Sequence, residues 1–329
     1  MSRSFTRQLG RSGIQVSAMG LGCWAIGGPF WRGQTPAGWG EVDDDESIAA
    51  IQRALDLGVT FFDTADVYGA GHSERVLGRA LTGRRHQVVI ATKFANIFDE
   101  STRQITGSDA SPEYIRQACE ASLRRLNTDY IDLYQFHNGG YEVDRAGGVR
   151  DTLEELVAQG KIRHYGWSTD SPERARVFAQ GPHCVAVQHQ MNVLDDAGAM
   201  IQLCEELGLA SINRGPLAMG LLTGKYGAGS KLASDDVRGE RAPGWMKYFK
   251  DGQPHPEWLN RLQAVRAILT SGGRTLAQGA LAWLWARSPQ TLPIPGFRTV
   301  AQVQENCAAL GLGPLSAQQV AEIDTLLGR

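Results

Sequence analysis

The sequence has no long hydrophobic run. No window approaches the roughly 18 consecutive apolar residues that a membrane-spanning helix needs, and the opening MSRSFTRQLGRSG has no apolar signal core. It also lacks an excess of one charge. Lys and Arg number 33 against 35 Asp and Glu, a formal net charge of −2, which argues against nucleic acid or an acidic membrane as an obligatory partner. Cysteine is sparse and unpatterned. Cys23, Cys119, Cys184, Cys204 and Cys307 make an odd count with no CxxC spacing, which argues against a disulfide framework and for a reducing, cytoplasmic setting. Phosphate-binding fingerprints are missing as well. GAGHSE from Gly69 lacks the third glycine of a dinucleotide motif. GLLTGKY from Gly220 is one residue short of a P-loop and has no Ser or Thr after Lys225. His183, Cys184 and His189 are a thin basis for a metal site, and none is expected.

Short apolar runs alternate with helical patterns. The runs are 17–23, 59–65, 87–94, 130–137, 162–168, 184–190, 209–215 and 291–296. Eight strand candidates separated by helices predict an α/β fold with a parallel sheet closed into a (β/α)8 barrel, a TIM barrel. Ser111-Pro112-Glu113 and Ser171-Pro172-Glu173 each read as an N-cap, a first-turn proline and a first-turn acid. After the first of them, Ile115, Ala118, Cys119, Ser122, Leu123 and Leu126 fall on one helical stripe. Ile48, Ile51 and Leu55 mark another helix, closed by Gly58. Thr299 with Gln302, and Ser316 with Gln319, have capping-box spacing. With no interdomain linker and no repeat beyond the alternation, residues 1–329 read as one domain.

Three segments fall outside the alternation. Residues 4–18 read as an N-terminal hairpin covering the barrel floor. Segments 24–45 and 225–257 follow strand ends and are expected on the catalytic face. Their Trp24, Trp31, Trp39, Trp245 and Phe249 are candidate walls of a substrate pocket. The second segment, long, charged and rich in Gly and Pro, is expected to make few core contacts and to act as a lid; for both segments a disordered surface insertion is the rival reading.

Four residues carry the chemistry. Asp63 and Tyr68 in FFDTADVYG, Lys93 in VVIATKF and His137 in DLYQFHN each lie at or just past a strand end, where a β/α barrel keeps its catalytic side chains. A phenol titrates near ~10 unaided, and a neighbouring ammonium is expected to lower that value. Asp63 would hold Lys93 charged, and His137 would orient a substrate oxygen. Together they describe a proton donor for a carbonyl whose carbon receives a hydride. Singly, each has a structural reading: a turn cap, a half-buried aromatic, a strand-end charge, a core histidine. Four on successive strand ends favour chemistry. A nicotinamide cofactor would then sit on the loops after strands seven and eight, where barrels bind phosphate. NRGPLAMGLLTGKY offers Arg214 and Lys225 there, and PGFRTVAQVQEN places Arg298 before a helix.

DTADVYGAGHSERVLGRAL, TKF, YIDLYQFH, GWST, VQHQMN, NRGPLAMGLLTGKY and IPGFRTVAQVQEN run in order from about Gly20 to Asn306. In these motifs the chain resembles the aldo-keto reductase superfamily. The resemblance implies NADPH-dependent reduction of an aldehyde or ketone, with Tyr68 as general acid, Lys93 and Asp63 as its partners and His137 as substrate orienter. It implies that Ser168 and Gln188 bond the nicotinamide carboxamide, with Gly22, Cys23, Trp24, Asp63 and Arg214 around the ring. Leu217, Gly220, Leu222 and Lys225 match the stretch along the pyrophosphate. Gly296, Arg298, Gln302, Glu305 and Asn306 match the adenosine end. Some positions depart from the pattern. Thr169 stands where Asn is usual, and Arg214 where many members stack an aromatic. Gly296 and Gln302 replace the Lys and Arg that grip the 2′-phosphate in one large branch, while Arg298 and Lys225 keep NADPH favoured over NADH. HNGG after strand four replaces a common His-x-Pro. The implied partner is a small carbonyl compound, and no feature of the sequence specifies an oligomeric state. A second reading is a cofactor-binding regulatory protein, like channel subunits of the superfamily, with slow or vestigial turnover.

Overall fold

In a computed structural model that describes residues 5–329, eight parallel strands form the barrel wall. In chain order they are Leu21–Gly22, Phe61–Asp63, Val89–Phe94, Ile131–Phe136, Ile162–Ser168, Cys184–Gln190, Ala210–Arg214 and Thr291–Pro293. Each pairs with its sequence neighbour. Between the first and last strands, the Gly20 and Gly22 N–H groups donate to the Pro293 and Pro295 carbonyls, both at 3.0 Å, and Gly22 bridges to Gly296. The barrel is thus nearly closed. Six of the eight strands are shorter than their apolar runs, the first and last among them. Ser17 of the first run belongs instead to the hairpin strand Gln15–Ser17. The last run ends early because Pro293 and Pro295 have no N–H for a ladder.

Apolar alternation fills the interior. Phe61, Val89, Leu133, Val185, Ile212 and Leu292 pack inside the wall, with Leu9 and Val16 of the hairpin region against them. The hairpin, Thr6–Gln8 with Gln15–Ser17, therefore covers the floor as expected; Ser4 of that reading lies outside the described residues. Truncating Phe61, which is fully buried, is the kind of change that costs about 3–5 kcal/mol.

The helices start where their caps say. In the helix Pro112–Leu126 the Ser111 hydroxyl accepts the Tyr114 N–H, and the buried positions are the six of the expected stripe. In the helix Pro172–Ala179 Ser171 accepts from Arg174. Asp43 caps the helix Asp44–Asp56, taking two N–H groups. Ser316 and Gln319 complete a capping box on the helix Ala317–Leu327. Before the helix Val300–Ala308, Thr299 accepts from the Gln302 N–H. The return half of that box is absent, because Gln302 Oε1 takes the Arg298 N–H at 2.7 Å.

Two structures rise above the strand ends. One is a small sheet built from Trp31–Arg32, Thr35–Pro36, Asn96–Asp99 and Gln104–Ser108. The other is the long segment after strand seven. The expectation that it makes few core contacts is overturned. Val237, Met246, Tyr248 and Phe249 are buried. Asp236 and Arg238 form a buried ion pair at 2.7 Å, and the Arg238 guanidinium lies 4.4 Å from the Trp39 ring. The Val237 N–H donates to the Gly38 carbonyl at 2.8 Å, tying the segment to the loop after strand one.

Candidate active site

Asp63 ends strand two, Lys93 is the penultimate residue of strand three, and His137 directly follows strand four. Tyr68 lies on the turn between strand two and the helix His72–Ala80. That turn is bonded from several sides. The Thr64 and Ser73 hydroxyls meet at 2.8 Å, Ser73 Oγ donates to the Cys23 carbonyl at 2.8 Å, and the Asp66 N–H donates to the Lys93 carbonyl at 3.3 Å. Gly69, at φ +62°, lets the turn press on the loop after strand one. A Cβ there would sit 1.8 Å from the Gly27 carbonyl oxygen, closer than any side chain allows. Tyr68 is thereby fixed beside Trp24, with their rings stacked at 5.9 Å.

Lys93 is the hub. Its fully buried ammonium donates to Asp63 Oδ1 at 2.5 Å, to the Thr64 carbonyl at 2.8 Å and to the Tyr68 hydroxyl at 3.2 Å. All three of its hydrogens are placed. His137 meets the Tyr68 ring edge-on at 5.9 Å. Its Nδ1 is buried without a partner, so Nε2 is the nitrogen open to the cavity.

Electrostatics follow from dryness. Burial pushes the Tyr68 phenol above its ordinary value; Lys93 is the largest opposing influence, and Asp63 adds to the rise. The expected lowering by Lys93 is therefore corrected: desolvation of a phenolate outweighs a cation whose charge Asp63 already matches. For Lys93 itself burial acts downward, but Asp63 and Tyr68 outweigh it, and the ammonium is held above its usual value. Burial, then the charges of Lys93 and Arg214, hold His137 well below the histidine range, so its ring is neutral near pH 7.

Asp63 has a second set of partners that sequence reasoning missed. Its Oδ2 accepts from Gln188 Nε2 at 2.7 Å and from Gln135 Nε2 at 3.0 Å. Gln135 is fully buried in strand four. The signal was an amide in the apolar run YIDLYQFH, two residues from both Leu133 and His137 and hence on the inward face.

These groups open into one cavity of about 1380 Å³. Asp63, Tyr68 and His137 line it, and so do Gly22, Trp24, Ser168, Gln188, Arg214, Leu217, Gly220, Lys225, Gly296, Arg298, Gln302, Glu305 and Asn306. Cys23 and Leu222 are fully buried behind the wall. Among the candidate aromatic walls, Trp24, Trp39 and Trp245 line the space. Trp31 does not, because it pairs into the small sheet. Phe249 does not either; it is buried against Tyr226 and Arg238.

The cavity fits a dinucleotide. Ala218, Met219 and Gly220 run at φ +47°, +55° and +91°, a left-handed turn that bares backbone toward the space. A Cβ on Gly296 would meet only the Gly22 carbonyl oxygen, at 3.9 Å, so that wall is left open. Arg298 donates to the Trp39 carbonyl at 3.2 Å and to the Glu41 carbonyl, which leaves three of its five N–H groups. Arg214 pairs with Asp170 and donates to Gln190 Oε1 at 3.3 Å. Thr169 donates its hydroxyl to the Gly139 carbonyl at 3.0 Å, so it is turned to the loop after strand four. His183 bonds Glu154 and His189 bonds Ser211, at 2.6 and 2.7 Å. Among the described residues no group of three potential ligands gathers around a metal position, and no helix is long and apolar enough to cross a membrane.

Comparison with known proteins places the chain among relatives of the same fold. The aldo-keto reductase yakc [NADP(+)] of Schizosaccharomyces pombe is 32% identical over 97% of this chain and 90% of its own. The glycerol dehydrogenase of Gluconobacter oxydans superposes with a TM-score of 0.81 at 28% identity, covering 99% of this chain and 96% of that one. An aldo/keto reductase of Klebsiella pneumoniae, solved with NADP and acetate, gives 0.69 at 28% identity, over 98% and 95%. The model of the aldo/keto reductase family matches residues 18–327, which hold all eight strands and every side chain of the site, and on that match the chain belongs to the aldo/keto reductase family of oxidoreductases.

Proposed function

We propose that this protein reduces an aldehyde or ketone to the alcohol with NADP(H), and that Tyr68 delivers the proton. The observation that carries the reading is the seat of Lys93, its ammonium shared between Asp63 Oδ1 and the Tyr68 hydroxyl at the wall of a cavity of dinucleotide size. Bound NADPH supplies the hydride. A neutral His137 with its proton on Nε2 donates to the carbonyl oxygen and aims it at the phenol. Tyr68 gives up its proton as negative charge grows on that oxygen, and Lys93 stabilises the phenolate left behind. Asp63 keeps Lys93 in place. Trp24 and Trp245, 6.2 Å apart, flank the substrate and exclude water. Ser168 and Gln188 hold the carboxamide, the turn from Leu217 to Gly220 follows the pyrophosphate with Lys225, and Arg298 faces the 2′-phosphate. The five cysteines, unpaired and buried, suit a reducing compartment, and we place the protein in the cytoplasm.

The test is consumption of NADPH with an activated aldehyde such as 4-nitrobenzaldehyde, in wild type and in Tyr68→Phe. Loss of the acid should cost about 10²–10⁴-fold in kcat, while NADPH binding, followed by fluorescence, stays unchanged. A variant that keeps more than about a tenth of kcat where chemistry limits turnover would assign the acid to another group.

A further inference from the structure

The amide of Gln188 is held on its inner side and open on the other. Its Nε2 donates to Asp63 Oδ2 at 2.7 Å and to Gln135 Oε1 at 3.3 Å. Gln135 in turn donates from Nε2 to the same Asp63 oxygen at 3.0 Å. A carboxylate only accepts. With Asp63 bound to the Lys93 ammonium, both amides must turn nitrogen toward it, so the orientation follows from the chemistry of the partner and not from how amide atoms were assigned. Gln135 then has its oxygen left to accept the second Gln188 hydrogen. Both hydrogens of Gln188 are spent inside the barrel. Only Oε1, an acceptor, remains for the cavity that Gln188 lines, and among the described residues no protein group donates to it.

We propose that Gln135 is a positioning residue for the nicotinamide subsite: with Asp63 it commits the nitrogen of Gln188 inward, so that the subsite presents a carbonyl oxygen and selects a pyridine ring bearing an N–H donor, the primary carboxamide. Gln135 lies behind Gln188, absent from the cavity wall, and acts through it. The consequence is a link between proton donor and cofactor seat. Asp63 Oδ1 holds the cation beside Tyr68, and Oδ2 sets the polarity of the amide that reads the cofactor. The inference rests on the reading that Gln188 meets the carboxamide.

The experiment compares two cofactors in the full-length protein. NADP⁺ has the carboxamide; its 3-acetylpyridine analogue keeps the carbonyl but has no N–H. Dissociation constants for both are measured by fluorescence quenching for wild type, Gln135→Leu and Gln188→Leu. Wild type should prefer NADP⁺ by roughly tenfold, the size of one good hydrogen bond. Gln188→Leu should abolish the preference. Gln135→Leu should cut it by at least about half, because Gln188, then tethered by Asp63 alone, can swing about that one bond and carry Oε1 off its aim at the cavity. A role for Gln135 in packing alone would weaken both cofactors equally and leave the ratio intact. That outcome overturns the proposal, as does an additive effect of Gln135→Leu in the Gln188→Leu background. If wild type binds neither cofactor, the functional reading falls and the inference with it. If Gln188→Leu abolishes the preference and Gln135→Leu leaves it, only the inference falls. Should Gln135→Leu fail to fold, Gln135→Met, unbranched and of similar length, carries the same comparison.

Discussion

Replacing Lys93 by Met separates the two tasks of its ammonium. The first is electrostatic support of Tyr68. Burial already holds the phenol above its usual value, and Lys93 is the strongest influence in the other direction. Without it the phenolate loses a charge-assisted bond across 3.2 Å. Such a bond is worth about 1.5–3 kcal/mol, which at ~1.4 kcal/mol per decade is a loss of roughly ten- to a hundredfold in the chemical step. The second task is neutralising Asp63. Breaking a buried pair leaves a carboxylate without its counter-charge and costs about 3–5 kcal/mol of stability. The assay must tell these apart. Single-turnover reduction of an activated aldehyde is measured for Lys93→Met and for the double variant Lys93→Met/Asp63→Asn, alongside thermal unfolding. The double variant removes the orphan charge, so its unfolding midpoint should recover toward wild type while its rate stays low. Recovery of the rate together with the midpoint would show that Lys93 supports the fold alone. A single variant whose single-turnover rate matches wild type would remove the ammonium from the proton-donating step altogether.

Other perturbations probe the rest of the site. Arg298→Ala should weaken NADPH by several-fold or more and leave NADH nearly unchanged, since three N–H groups of Arg298 remain for a 2′-phosphate; equal losses for both cofactors, by titration, would mean that Arg298 serves only to anchor the Trp39 and Glu41 carbonyls. Arg238→Ala should cost about 3–5 kcal/mol in denaturant unfolding because it strands the buried Asp236, whereas Lys231→Ala, exposed on the same segment, should stay within about 0.5 kcal/mol. Acidification should also destabilise the fold. Burial lowers His189 to about 4, so the unfolded chain takes up a proton near pH 6.5 that the folded chain refuses. The stabilisation is present above pH 6.5 and is lost as pH falls toward 4, by about 2 kcal/mol between pH 6.5 and 5; His189→Gln should flatten that slope, and an unchanged slope would assign it to other groups.

The site was legible because a parallel barrel turns order along the chain into order in space. Strand ends at Asp63, Lys93 and His137 could be read from where apolar runs stop, and closure brings successive ends together. Electrostatic outcome was not legible in the same way. That Lys93 lies near Tyr68 follows from the fold; that the phenol nonetheless ends above its ordinary value depends on how completely water is excluded, which no spacing reports. Gln135 was passed over for a related reason. Its meaning lies in a carboxylate from strand two and an amide from strand six, and only the closed barrel supplies both.

Segment 225–257 shows where composition misleads. Gly, Pro and charge say loop, and most of it is loop. Yet Arg238, a residue that composition counts as solvated, is buried on Asp236 and stacked on Trp39. A guanidinium can do this because its flat face is weakly hydrated while its edge satisfies a carboxylate. The segment is therefore fastened to the loop after strand one by a charge pair, an aromatic face and the bond from Val237 to Gly38. All three contacts lie on segments that line the cavity. Opening them for a cofactor to enter or leave would expose the pair and the ring together, so any motion there should involve both loops as one unit and not the excursion alone. Trp245, at 59% the most exposed large apolar side chain among the described residues, lines the same cavity but takes no part in these three contacts.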